Sequence, residues 1–336
     1  MQLSNASTRV VAPEDRERHS LDQLSLLRQL GQAQELSINE AIFLATQLVQ
    51  HGFHTAGQFL DRFLGATRHA SVRYYLTRLK RRHANIQALP HLPRVLGDER
   101  RLRALYDPAM GSYFIPGTSR SDTAVVVFTT VNNNFGVSNA VLDAVLDELG
   151  VARLYLKDAT RFIYFRGVSG LSGSLRGLPE AVTHALRQSG IHRILVTGVS
   201  SGGLPAIYTA AALDAVACLA FSACTDFSVN STLPQPRMHM NIANEVDPGA
   251  RINTHDVISA SKAGPGSFRF YYGLDHPIDR PHALHLSGLP QMRLVGLDHC
   301  GHGAVGALVE RGSFAAAFAE TLMADDASLN RQEGAA

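Results

Sequence analysis

The sequence predicts an α/β protein, a mostly parallel, doubly wound sheet preceded by a small all-α module, and three observations predict it. From Leu21 to about His83 the apolar residues recur at helical spacing and no strand run intervenes. Past Pro93 the rhythm changes to short apolar runs alternating with helical windows, the sequence form of βαβ units. One of those runs passes through Gly198-Val-Ser200-Ser-Gly202 directly into an alanine-rich helical stretch.

The elements follow in order. The first twenty residues are polar, charged and without apolar period, so they bury too little surface to offset their ordering entropy. Ser37-Ile-Asn-Glu40 reads as a capping box opening a helix that carries Ile42, Phe43, Ala45, Leu48 and Val49 and stops at Gly52. Helices at His54 to Leu64 and Ser71 to Arg82 complete the module, and Leu89-Pro90-His91-Leu92-Pro93 reads as its linker. The strand runs are Ala124 to Phe128, Ala152 to Leu156, Arg193 to Thr197, Ala215 to Phe221, Ser267 to Tyr272 and Gln291 to Val295. Between the first two lies a helix with Ser138 as N-cap, an apolar face from Val141 to Leu149 and Gly150 at its stop. Ser174 to Ser189 and Gly202 to Leu213 supply two more crossovers. The expected organisation is an unstructured tail over 1–20, helical module and linker over 21–93, α/β domain over 94–325, and a second unstructured tail over 326–336.

Composition narrows the function classes. With 336 residues and 45% hydrophobic content the chain buries a sizeable core. Lys and Arg (31) nearly balance Asp and Glu (29), so no field gathers nucleic acid or an anionic membrane surface. The longest apolar stretches, such as Ala210 to Phe221, contain Asp214 and fall short of the roughly 20 residues a span requires. Three cysteines make no disulfide framework, and no signal-peptide pattern opens the chain; a cytoplasmic protein is expected.

The Gly-x-Ser-x-Gly turn carries the chemistry. A nucleophile at the tip of a sharp strand-to-helix turn needs small residues two before and two after it, and Gly198 and Gly202 are glycines. The helix that follows aims its first amides at the place where a tetrahedral oxyanion forms, so the amide of Ser201 is one donor. The Ser201 hydroxyl competes with Ser200 as nucleophile, but reads better as a serine at a helix N-terminus.

On these residues, the stretch from about Arg103 to Leu322 resembles the α/β-hydrolase superfamily. The resemblance implies an eight-stranded, mostly parallel sheet, a Ser, Asp/Glu, His triad in that chain order, and a second oxyanion donor after an early strand. That donor falls at the amide of Val131, in a loop where Thr129-Thr130 replaces the His-Gly of many relatives. Asp158, before Gly167, Gly170 and Gly173, matches the superfamily's Asp and glycine loop and is expected to order a turn.

The base belongs after the last strand. Asp298-His299-Cys300-Gly301-His302-Gly303 offers two histidines there, and His302 is favoured because flanking glycines let its ring approach Ser200. The orienting acid belongs after the strand before. Asp275 follows Gly273 by two residues and is the choice; Asp279 is the rival, with a helix cap as its alternative role.

Acyl-ester chemistry follows, with Ser200 attacking, His302 moving the proton and water resolving the acyl-enzyme; no metal or organic cofactor is required. A different acceptor would make the same residues an acyltransferase. The insertion Ser228 to Gly266 is rich in Asn, Pro, His and Arg, which disfavours a lipid and favours a polar or glycan-linked acyl substrate. A likeness to hydrolase-like proteins of bacterial polysaccharide loci points the same way. The competing class is a non-catalytic binding or scaffold protein on the same fold, whose helical module would meet a partner the sequence does not identify.

Overall fold

The structure, a computed structural model, describes residues 38–107, 109–213, 215–236 and 240–333. Five helices come first: α1 (Ile38–Gln50), α2 (Thr55–Ala66), α3 (Ala70–Gln87), α4 (Leu92–Gly97) and α5 (Glu99–Tyr106). α1 buries Ala41, Leu44, Ala45, Leu48 and Val49 on one face and leaves Phe43 exposed, the pattern of an amphipathic helix. Gly52 adopts φ +72°, the left-handed stop its position suggested. The expected capping residue Ser37 lies outside the described residues, as does the expected tail over 1–20. The stretch from Leu89 to Pro93 is a tight turn rather than an open linker. Leu92 is buried, and Pro93 sits in the first turn of α4, where a missing N–H costs no helical bond.

The sheet follows: β1 (Ser112–Ile115), β2 (Arg120–Phe128), α6 (Asn139–Glu148), β3 (Val151–Leu156), α7 (Leu178–Arg187), β4 (Arg193–Val199), α8 (Gly203–Ala212), β5 (Ala217–Phe221), α9 (Met240–Glu245), α10 (Thr254–Ala260), β6 (Phe268–Gly273), α11 (Asp279–His285), β7 (Met292–Leu297), α12 (Ala304–Glu310) and α13 (Phe314–Glu333). The strand order is β1-β3-β2-β4-β5-β6-β7, with β1 antiparallel to β3 and every other pair parallel. This is the expected α/β class; the described residues hold seven strands where the resemblance implied eight. β1 escaped the sequence reading because its four residues, Ser-Tyr-Phe-Ile, are only half buried at a sheet edge. Ser138 caps α6 as expected, its hydroxyl accepting from the amide of Val141 at 3.3 Å. Within the expected tail over 326–336, α13 continues to Glu333. Its twenty residues follow Ser313 without an intervening Gly or Pro, so no local signal stops the helix sooner.

Side-chain alternation along each strand builds two apolar layers. Val125 and Val127 of β2, with Leu195 and Val199 of β4, face one layer; Ala124, Val126 and Phe128, with Val196, face the other. α7, α8, α10 and α11 cover the second layer. The first contains α6, α12 and α13, and also the buried faces of α1 to α4. The helical module therefore does not stand apart from the sheet: Leu48, Leu60, Leu76 and Leu79 belong to the same core as Val141, Val305 and Leu308.

Polar contacts tie the helices down as well. Arg153 of β3 is fully buried and bonds Asp143 and Asp147 of α6 at 2.8 and 2.5 Å. Arg101 of α5 meets both aspartates, and Arg94 and His91 reach Asp147 from the α4 region. A buried network of this kind specifies how the layers dock more than it adds stability. Arg78 of α3 binds both carboxylate oxygens of Glu310 on α12 at 2.9 Å and donates to the carbonyl of His299 at 2.9 Å. Among the described residues no helix is long and apolar enough to cross a membrane.

Candidate active site

β4 ends at Val199, and the chain turns at once through a 3-10 turn, Ser200–Gly202, into α8. Ser200 sits at the turn with φ +53°, a left-handed conformation that costs a non-glycine residue energy and persists where its surroundings hold it. The surroundings are tight. A Cβ on Gly198 would lie 2.1 Å from the carbonyl oxygen of Gly202, and one on Gly202 would lie 2.3 Å from that of Phe128 and 2.7 Å from that of Thr129. The two glycines thus do what their spacing suggested. Gly202 does so by admitting the end of β2, which also brings the loop carrying Val131 to the elbow.

The Ser200 hydroxyl lies 2.9 Å from Nε2 of His302. His302 Nδ1 lies 2.7 Å from Oδ1 of Asp279. A hydrogen-bond chain from the Ser200 hydroxyl through the ring to the carboxylate takes the tautomer with its proton on Nδ1 and Nε2 bare. Asp279 is 1% exposed, while the imidazole is 43% exposed, so the acid is sealed in and the base opens to solvent. His299 lies outside this arrangement: its ring is largely exposed and its backbone has φ +54°.

The geometry brings Asp279, and not the expected Asp275, to the His302 ring. Asp275 is 73% exposed, and the ring it faces is that of His299, at 4.0 Å. The path of the chain places them so. Gly273 ends β6 against the His302 loop, where a Cβ would lie 2.1 Å from the carbonyl oxygen of Gly301, so no side chain fits between the strand end and that loop. The chain turns outward through Asp275 and re-enters at the first residue of α11, which is Asp279.

The loop after β2 does bring Val131 to the elbow, but its amide donates to the hydroxyl oxygen of Ser201 at 2.9 Å. Ser201 is 2% exposed and bonds this loop, in keeping with a helix N-terminal serine rather than a nucleophile. Asp158 orders its turn as expected, accepting from the amides of Thr160 and Tyr164 and from the Thr160 hydroxyl. Tyr164 in turn fixes the β2 loop, its hydroxyl donating to the carbonyl oxygens of Leu156 and Thr129 at 2.7 and 3.0 Å.

Other titratable groups near Asp279 are held neutral. Burial pushes the thiols of Cys224 and Cys300 up, and the charge of Asp279 adds to both. Burial lowers His282, which accepts the Thr225 amide at Nδ1 and faces the Pro234 carbonyl with Nε2, pinning the insertion to the end of β5. His276 is a residue the sequence reading missed: its Nδ1 lies 2.8 Å from Asp279 Oδ1. The three-residue spacing to Asp279 across a turn was the available signal. His276, Asp279 and His302 are also the one cluster of metal-type donors among the described residues. Their facing atoms are engaged with one another, as a hydrogen-bond relay requires.

No family model matches the chain, and no curated protein matches it. Solved structures do. A carboxylesterase from the ammonia-oxidizing thaumarchaeon Nitrososphaera gargenis aligns over 66% of this chain and 96% of its own, at 12% identity and a TM-score of 0.44. Est1E from Butyrivibrio proteoclasticus, with ferulic acid bound, aligns over 63% and 95% at 14% identity and 0.44. MenH from S. aureus aligns over 64% and 99% at 12% and 0.46. At such identities and scores, likeness carries nothing about substrate or residue role.

Proposed function

We propose that this chain is a serine hydrolase of the α/β-hydrolase type, acting on an acyl ester through Ser200, His302 and Asp279. The observation that supports it is the unbroken relay from the Ser200 hydroxyl to a sealed carboxylate, 2.9 Å and then 2.7 Å, with the serine on a strained elbow. Ser200 Oγ attacks the ester carbonyl as its proton passes to His302 Nε2. Asp279 keeps the ring in the tautomer that can accept and stabilises the imidazolium without taking the proton. His302 returns the proton to the leaving alkoxide, and a water activated by the same nitrogen releases the acid from the acyl-enzyme.

The tetrahedral oxyanion is held by the amide of Ser201 at the start of the helical turn and by that of Val131. The Val131 amide meets the Ser201 hydroxyl in the resting site, so substrate gains it when that hydroxyl turns aside. We assign the wall beyond to the insertion, in which Arg251 braces the carbonyls of Ala243 and Val246 and Glu245 reaches Arg166 of the glycine loop. Such polar walling suits a polar or glycan-linked acyl group.

The test is labelling by a fluorophosphonate in wild type and Ser200→Ala, followed by turnover of p-nitrophenyl acetate and of acetylated sugars. Covalent labelling only with Ser200 present supports the reading. Equal labelling, or equal turnover by Ser200→Ala, overturns it.

A further inference from the structure

Asp279 serves two imidazoles, not one. Its Oδ1 is 2.7 Å from Nδ1 of His302 and 2.8 Å from Nδ1 of His276, whose rings tilt at 41° with centroids 5.2 Å apart. The other oxygen, Oδ2, is buried and without a hydrogen-bond partner, so both imidazoles draw on the same atom. The main-chain amide of Asp279 also points at His276 Nδ1, 3.1 Å away.

One nitrogen cannot accept from the Asp279 amide and donate to Oδ1 at once: bare, it accepts; bearing a proton, it donates. Neutral, with its proton on Nε2, His276 accepts the Asp279 amide and leaves Oδ1 to His302. Protonated, its Nδ1–H donates to Oδ1 and the amide loses its acceptor. Around this pair, the other titratable groups are the thiols of Cys224 and Cys300 and the buried His282, all neutral, and the exposed Asp275 and His299, which face each other.

We propose that His276 is a positioning residue that makes the relay depend on a second proton. In its neutral form it fixes the first turn of α11 and leaves Asp279 wholly to His302. In its protonated form it takes a share of Oδ1 and sets a positive charge beside the ring that must itself become cationic as Ser200 attacks. This rests on the triad reading of Ser200, His302 and Asp279. Each of the two protons, one on His302 and one on His276, lowers turnover. The acid limb of the kcat/KM profile then carries two protonation steps, against one for a single base.

The experiment measures kcat/KM for p-nitrophenyl acetate across the acid limb in wild type, His276→Asn and Ser200→Ala. Asn keeps an oxygen that accepts the Asp279 amide but cannot titrate, so its limb is expected to follow one protonation where wild type follows two. A wild-type limb that follows one protonation, or an unchanged two-step limb in His276→Asn, overturns the inference. Turnover that survives Ser200→Ala overturns the triad reading instead. A substrate-free measurement covers a chain that turns over no test ester: the imidazole 15N spectrum of wild type and His276→Asn through the same pH range. The expected result is a step in the His302 Nδ1 signal that coincides with protonation of His276 and vanishes in His276→Asn. A His302 signal indifferent to residue 276 overturns the inference.

Discussion

Replacing Asp279 by Asn is the sharpest perturbation of the proposed relay, because it keeps the shape of the side chain and changes only charge and donor pattern. In the present structure Nδ1 of His302 lies 2.7 Å from Asp279 Oδ1, where its N–H can donate a hydrogen bond to the carboxylate. An Asn amide can turn its NH2 toward Nδ1, which then has to be bare. The ring proton moves to Nε2, where it faces the Ser200 hydroxyl 2.9 Å away and leaves no base. Turned the other way, the amide oxygen holds the ring but brings no negative charge to the imidazolium. Either way, kcat on p-nitrophenyl acetate is expected to fall about ten-thousand-fold, equivalent to about 5.5 kcal/mol of transition-state stabilisation. Asp275→Asn removes an exposed charge 4.0 Å from an exposed histidine and is expected to stay within about twofold of wild type. Both variants are compared by initial rates at saturating ester, normalised to folded protein by circular dichroism. An Asp279→Asn enzyme that keeps more than a tenth of wild-type kcat, or an Asp275→Asn enzyme that loses it, refutes the reasoning.

Ser201→Ala leaves the attacking oxygen and the Ser201 amide in place, so turnover is expected within about tenfold of wild type, in contrast to Ser200→Ala; progress curves on the same ester separate the two hydroxyls. Gly202→Ala puts a methyl within 2.3 Å of the Phe128 carbonyl, a backbone atom with no room to yield, and is expected to cost about 1–3 kcal/mol in urea unfolding. A midpoint equal to wild type would show that β2 does not press on the elbow. Deleting residues 1–89 strips Leu48, Leu60, Leu76 and Leu79 from the core shared with Val141 and Leu308, and the remainder is expected to be insoluble or to bind hydrophobic dye without near-ultraviolet circular dichroism. A soluble, cooperatively unfolding product would restore the helices to the status of an appendage.

Much of the fold was legible because its signals are local. Six of the seven strands are apolar runs, Ser138 caps its helix, and the crossovers fall within a few residues of where periodicity put them. The Ser200 elbow was legible for the same reason, since Gly198 and Gly202 answer a steric demand confined to five residues. The position of the acid was not. Choosing between Asp275 and Asp279 depends on the contact of Gly273 with Gly301, two residues far apart in sequence that meet only in the folded chain. His276 was hidden by the same limit, because an imidazole among fifteen gains meaning only from the carboxylate it meets. The helical layer misled most: prolines at 90 and 93 look like a boundary, whereas Arg101 and Arg153 converging on the same two aspartates show layers docked face to face.

The bond from Arg78 to the His299 carbonyl bears on how firmly the base is held. His299 and Gly301 both have φ +54°, so the chain between β7 and His302 is twisted twice within three residues. Arg78 clamps that stretch from behind while Asp279 grips the ring from the front, and the two anchors belong to opposite ends of the sequence. On the proposed relay, what the first helices contribute to turnover is stiffness. A shortened chain kept folded by a surrogate for those helices would retain Ser200, His302 and Asp279 and still work slowly, because an unclamped imidazole spends less of its time within reach of the hydroxyl it must deprotonate.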